Sequence, residues 1–206
     1  MPANHTGDDA RRALGFLSLA GTAALAERGV LVPTPGAVLV SPGVALAEGV
    51  VLWPGVILSA DAPGLLTVGA GTQLHGGTRV VAAAGGRVEI GGEAEIGEEG
   101  GFTIKAEAGH AIRIGSRARL LGNGSLTLSN EIGDGAQVLG PIRMQSCTLA
   151  GGGSWRDPDP DERGAVLKGA GVARGIVLTR GSVIQAFGLF AEAPVRRQTE
   201  FHPKAV

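Results

Sequence analysis

The chain has 206 residues and a formal charge of -1, which excludes the basic footprint expected for a partner such as nucleic acid or an anionic membrane surface. Aromatic residues make up 3% and Tyr is absent, so a core of large rings is excluded; Gly, at 36 residues with no collagen triplet, points to tight turns and close backbone stacking. A single cysteine, Cys147, excludes an internal disulfide and fits a reducing, cytoplasmic compartment.

In chain order, the first predicted element is an amphipathic helix in "RRALGFLSLAGTAALAERG" (11–29), started near Asp8 or Asp9 and ended at Gly29. It is expected to dock on the domain that follows, within an N-terminal segment 1–35. The arginine pair and the Ala-rich end also have the outline of an export signal over residues 11–28, the alternative localisation. No run of 18 apolar residues exists, so no membrane span is expected.

From residue 36 to 190 an aliphatic residue recurs every six positions, a period that matches neither a helix nor a flat strand. Val40, Leu46, Leu52 and Leu58 begin the series. Val68, Leu74 and Val80 continue it. An unbroken run then extends from Ile90 and Ile96 through Phe102, Ala108 and Ile114 to Met144, and Val166, Val172, Leu178 and Ile184 close it. One hexad makes a short strand and a corner; three carry the chain once round a triangular prism, each aliphatic stacking on its counterpart about 4.8 Å away in the next coil. Hexads of this kind predict an all-β parallel β-helix solenoid. Its ends need caps, which the N-terminal helix and a tail 191–206 would supply.

The departures from six define the expected site. Ten-residue steps separate Leu58 from Val68 and Val80 from Ile90. "AGHAIR" (108–113) reads as a six-residue extra, and "AGGGSWRDPDPDERGA" (150–165) as a long loop. Each follows the third hexad of a coil, which would place all four on one edge. His110 would then share that edge with Trp155, Asp157, Asp159, Asp161 and Glu162 of the loop, two coils or about 10 Å away. A loop this long in a compact domain is usually functional or disordered.

His110 has two readings: a general base toward a hydroxyl or amine acceptor, or a polar residue on an exposed insertion. His75 is expected on an outer face. His5 and His202 lie in the termini, so no three-histidine metal site is expected within one chain, and a metal hydratase of this fold would need histidines that are missing. Lys168, Arg174 and Arg180 look like a basic row but occupy three different faces of one coil. One of them, with Arg196, Arg197 or Lys204 of the tail, could meet cofactor phosphates at a subunit cleft; ordinary solvated charge is the other reading. Cys147 reads as a small corner thiol, and Glu93, Glu95, Glu98 and Glu99 as a solvated acidic face.

On these residues the chain resembles the hexapeptide-repeat transferases, whose fold is a left-handed β-helix. The order of parts is most similar to the acetyltransferase half of the bifunctional N-acetylglucosamine-1-phosphate uridyltransferases. The matching stretches are "LSLAGTAALAERGV" (17–30), "AGHAIRIG" (108–115) and the loop at 150–165. The resemblance implies a homotrimer and transfer from acetyl-CoA or another acyl-CoA to a small sugar or sugar-nucleotide acceptor. It also implies His110 as base, with coenzyme along the last coils between subunits, where Lys168, Arg174 and Arg180 are the candidate contacts. A scaffold or sugar-nucleotide-binding module without transferase activity is the alternative.

Overall fold

The computed structural model describes residues 7–203, so His5 and Lys204 lie outside the described residues. From Val38 onward the chain winds through three flat faces in a fixed order. The first face is built from Leu39–Val40, Ile57–Ala60, Arg79–Ala82, Thr103–Ala106, Ser125–Thr127 and Ile142–Gln145, all paired in parallel. The second runs from Val44–Leu46 up to Val177–Leu178. The third climbs from Val51–Leu52 through Gln73–Leu74, Glu95–Ile96 and Arg119–Leu121 to Gln137–Leu139. The result is an all-β left-handed parallel β-helix.

At the upper end two strands turn the corner between the third and first faces without a break. Val166–Arg174 pairs with Gln137–Leu139 through its first residues and with Ile142–Gln145 through its last. Ser182–Leu189 lies in parallel register on it, Leu167 against Ile184 and Val172 against Leu189. The corner is passed at glycine: Gly140 and Gly169 have φ of 122° and 124°, values that residues with a Cβ avoid. A Cβ on Gly140 would strike the Gly169 carbonyl, and one on Gly169 the Ala186 carbonyl. Val195–Arg197 then pairs antiparallel with Ser182–Ile184.

Burial of the predicted aliphatics is nearly complete. Leu52, Leu74, Ile96, Leu120, Val138 and Leu167 form one interior column with no exposure. A second tier beside it carries Val50, Thr72, Ala94, Ala118, Ala136 and Ala165, also fully buried. The hydroxyl of Thr72 satisfies itself there by donating to the Gly91 carbonyl at 2.7 Å and accepting from the Ala94 amide at 3.2 Å.

Three sequence expectations are corrected. Ile104, not Phe102, stacks between Val80 and Leu126, because the turn Gly97–Gly101 holds two extra residues. Ala108 is exposed on the next corner, whose four extra residues bring the total to the six that "AGHAIR" seemed to contain. Leu167 and Ala173, not Val166 and Val172, continue the columns, because Ala173 to Leu178, like Met144 to Leu149 in the coil below, takes five residues. At the N-terminus the single helix is two: Gly7–Ala13 and Leu19–Ala23, the latter extended by a 3-10 turn that ends at Gly29 with φ 74°. Gly15, at φ 80°, breaks them. Arg11 ties both to the first coil by donating to the carbonyls of Leu17 (2.9 Å) and Val38 (2.6 Å).

Candidate functional site

His110 sits at the corner between the first and second faces. Its backbone amide closes a turn onto the Glu107 carbonyl at 2.9 Å, and its own carbonyl accepts from the Arg87 amide of the coil below. The ring Nδ1 lies 3.3 Å from the Ser129 hydroxyl oxygen, which also accepts from the Ala111 amide at 3.3 Å. A hydroxyl oxygen can accept twice. Nδ1–H can therefore donate to Ser129, which leaves Nε2 bare, and Nε2 has no hydrogen-bond partner among the described residues. The ring borders a depression of about 260 Å³ with Lys105, Glu107, Thr127 and Gln145. A hydrogen bond and the charge of Lys105 hold the Glu107 carboxyl below its ordinary range, with a smaller contribution from His110. Glu107 is thus an anion beside the imidazole at neutral pH.

The long loop does not share that corner. Thr148–Leu149 first forms a second-face strand against Glu131 and Ile132, and only then does the chain leave the prism. The loop therefore departs from the corner between the second and third faces, while the ten-residue steps, including the one carrying His110, leave from the corner between the first and second. The expectation that all the extra segments share one edge fails, and the loop carboxylates do not meet His110.

Those carboxylates are occupied within the loop and tail. Asp157 accepts from the Asp159 amide at 3.1 Å, and Asp159 caps the 3-10 turn Pro160–Glu162 by accepting from the Asp161 amide at 3.0 Å. Asp161 takes the Thr199 hydroxyl at 3.3 Å and the Arg197 guanidinium at 3.3 Å. Gln198 donates to the Gly164 carbonyl at 2.6 Å. Loop and tail are one stapled unit.

Trp155 folds from this unit back onto the third face. The guanidinium carbons of Arg119 and Arg156 each stand 4.7 Å from its ring centroid, within cation–π range. On one side of Trp155 lies a cavity of about 330 Å³ bordered by Gln73, Glu93, Glu95, Arg117, Ser154 and Arg156. On the other lies one of about 440 Å³, between the loop, the third face and the tail, which Lys168 also lines.

Of the three predicted basic contacts, Lys168 alone reaches a cavity of this kind. Arg174 is on the first face, donating from Nε to Gln145 at 3.0 Å. Arg180 pairs with Glu162 at 2.9 Å. Lys168 is on the third face, Arg174 on the first, and Arg180 in the turn that follows the second-face strand Val177–Leu178. Sequence reading missed Arg119, Arg163, Ser129 and Phe201. Arg119 carried a readable signal, an outward arginine one coil above Glu95, to which it bonds at 2.9 Å. Ser129 and Phe201 carried none. Among the described residues no group of three His, Cys, Asp or Glu could hold a metal ion, and no helix is long and apolar enough to cross a membrane.

No protein-family model matches the chain, and no curated protein matches it. Among solved structures it is similar to PerB from Caulobacter crescentus, whose crystal structure contains CoA and GDP-perosamine. The alignment covers 93% of this chain and 67% of PerB at 14% identity, with a TM-score of 0.24. At that score no individual residue of one chain is equated with one of the other.

Proposed function

We propose that the protein transfers an acyl group from an acyl-CoA to an amine or hydroxyl of a sugar or sugar-nucleotide acceptor, with His110 as general base. The observation that carries the reading is the His110 ring itself: Nδ1 against Ser129, Nε2 unpartnered, and an open depression in front of it. Nε2 takes the acceptor's proton as its nitrogen or oxygen attacks the thioester carbonyl. The C–S bond breaks, and the coenzyme thiolate recovers that proton from the imidazolium. With Nδ1–H donating to Ser129 the imidazole holds the tautomer that makes this possible, so Ser129 is a positioning residue.

We further propose a homotrimer, in which a neighbouring subunit closes the depression; exposed Val177, Phe187 and Leu189 on the last coil offer apolar contact area. A cytoplasmic setting fits the single buried thiol. The test is thiol release from acetyl-CoA in the presence of amino-sugar nucleotides. His110→Ala should lower turnover by about two orders of magnitude or more, within the usual range for a general base, at unchanged oligomer mass. Ser129→Ala should lower turnover less and leave KM for the acceptor in place. Unchanged turnover in His110→Ala would refute the assignment. The openness of the depression, which no loop carboxylate reaches, favours one second reading: a binding module that retains coenzyme and turns nothing over.

A further inference from the structure

We propose that the cavity between the long loop, the third face and the tail binds a ligand joining a flat heteroaromatic ring to a pyrophosphate. The inference rests on the acyl-transfer reading for the ligands it names, but its test is separate, because His110 is on the prism vertex opposite the third face. The volume, about 440 Å³, falls in the range of small-molecule sites.

The lining has a one-sided chemistry. Arg119, Arg163 and Lys168 contribute three cations and no carboxylate joins them. Arg119 is already compensated by Glu95 at 2.9 Å and Glu98 at 3.8 Å. Arg163 and Lys168 have no ion-pair partner among the described residues, so their charge is available to phosphate. The floor is apolar, made by Leu139, Val166 and Val183, and two aromatic side chains, Trp155 and Phe201, stand at the walls. A bare phosphate would not need the rings and apolar floor; an apolar ligand would not need the cations. A ligand with both parts uses all of it.

A second observation points the same way. Gln137 is only 6% exposed, yet its side-chain amide makes no hydrogen bond among the described residues. Among the described residues no buried side-chain nitrogen or oxygen is sealed off without a partner, and the cavity is what Gln137 lines. A largely buried amide left open to one space is a donor and acceptor awaiting a polar ligand, since such groups are otherwise paired.

Two sources of this chemistry exist: the phosphorylated adenosine end of coenzyme A and the nucleoside diphosphate of a sugar nucleotide. Calorimetric titration of the full chain with CoA, GDP and UDP separates them, with adenosine and pyrophosphate as half-ligands. Saturable binding of CoA alone assigns the coenzyme; binding of GDP or UDP alone assigns the acceptor's nucleotide. Each half-ligand should bind at least about tenfold more weakly than the whole. Lys168→Glu should weaken binding roughly tenfold or more, the effect of losing a charge-assisted contact. Arg143→Glu, the same charge change on the first face, should leave it intact. In a Trp53→Phe background, ligand should change Trp155 fluorescence. Absence of saturable binding by all three ligands, or equal affinity in Lys168→Glu, overturns the proposal, whatever the fate of the acyl-transfer test.

Discussion

Phe102 is fully buried at the third-to-first corner, and its ring fills the space that a side chain at position 124 would need: a Cβ on Gly124 would come within 2.6 Å of Cε2. The pair is a large residue accommodated by an absent one. Phe102→Ala should therefore cost about 3–5 kcal/mol in urea unfolding, as large-to-small core changes do. Cys147, 1% exposed, has a thiol pushed above its ordinary pKa by burial, with smaller opposing effects from backbone hydrogen bonds. A neutral buried thiol should resist an aromatic disulfide reagent until the chain unfolds. The sign of its pH effect follows from the raised value. Its contribution to stability is complete below the unfolded-state pKa and is lost as pH rises from there through the folded-state pKa. The alkaline fall in unfolding free energy should therefore be shallower in Cys147→Ala than in the parent chain.

Among the elements, the glycine corner and the loop–tail staple do different work. Gly169 combines a φ of 124° with direct backbone approach from the coil above, so Gly169→Ala should destabilise the upper coils by about 3 kcal/mol or more. Asp161→Ala removes a partly exposed ion pair and hydrogen bonds to Thr199, worth about 1 kcal/mol after solvent screening. Its clearer readout is faster proteolysis within 150–165. These elements also show what could be read in advance. The inner columns were legible because every buried face repeats the same chemistry at nearly constant spacing. The slip at Phe102 and Ala108 was not, because two extra residues at one corner and four at the next sum to a full hexad and restore the phase. The loop's corner was misread for a related reason. "SCTL" (146–149) holds one strand compressed into a five-residue step, and it reads as the remainder of the Met144 hexad.

For the whole molecule, a triangular cross-section imposes the central constraint. A vertex and the face opposite it cannot touch one ligand, so His110 and the Trp155–Lys168 cavity are separate stations within one chain. The apparent single site in the sequence came from assuming that all insertions share a ridge, and face-by-face register is a property of pairing that spacing alone does not report. If a ring of subunits brings the vertex of one chain to the open face of the next, the two stations become one. Mixing His110→Ala and Lys168→Glu subunits should then raise turnover above that of either homomer, a gain that separate monomers would not show.

The reversed strand Val195–Arg197 has a consequence for solubility. A stack of parallel coils ends in unpaired amides and carbonyls that any further coil of the same kind would satisfy, an open invitation to end-on polymerisation. An antiparallel strand carrying Arg196 and Arg197 spends part of that edge in the wrong direction for another copy to extend. The few residues after Pro194 would thus act as a terminator against fibre growth.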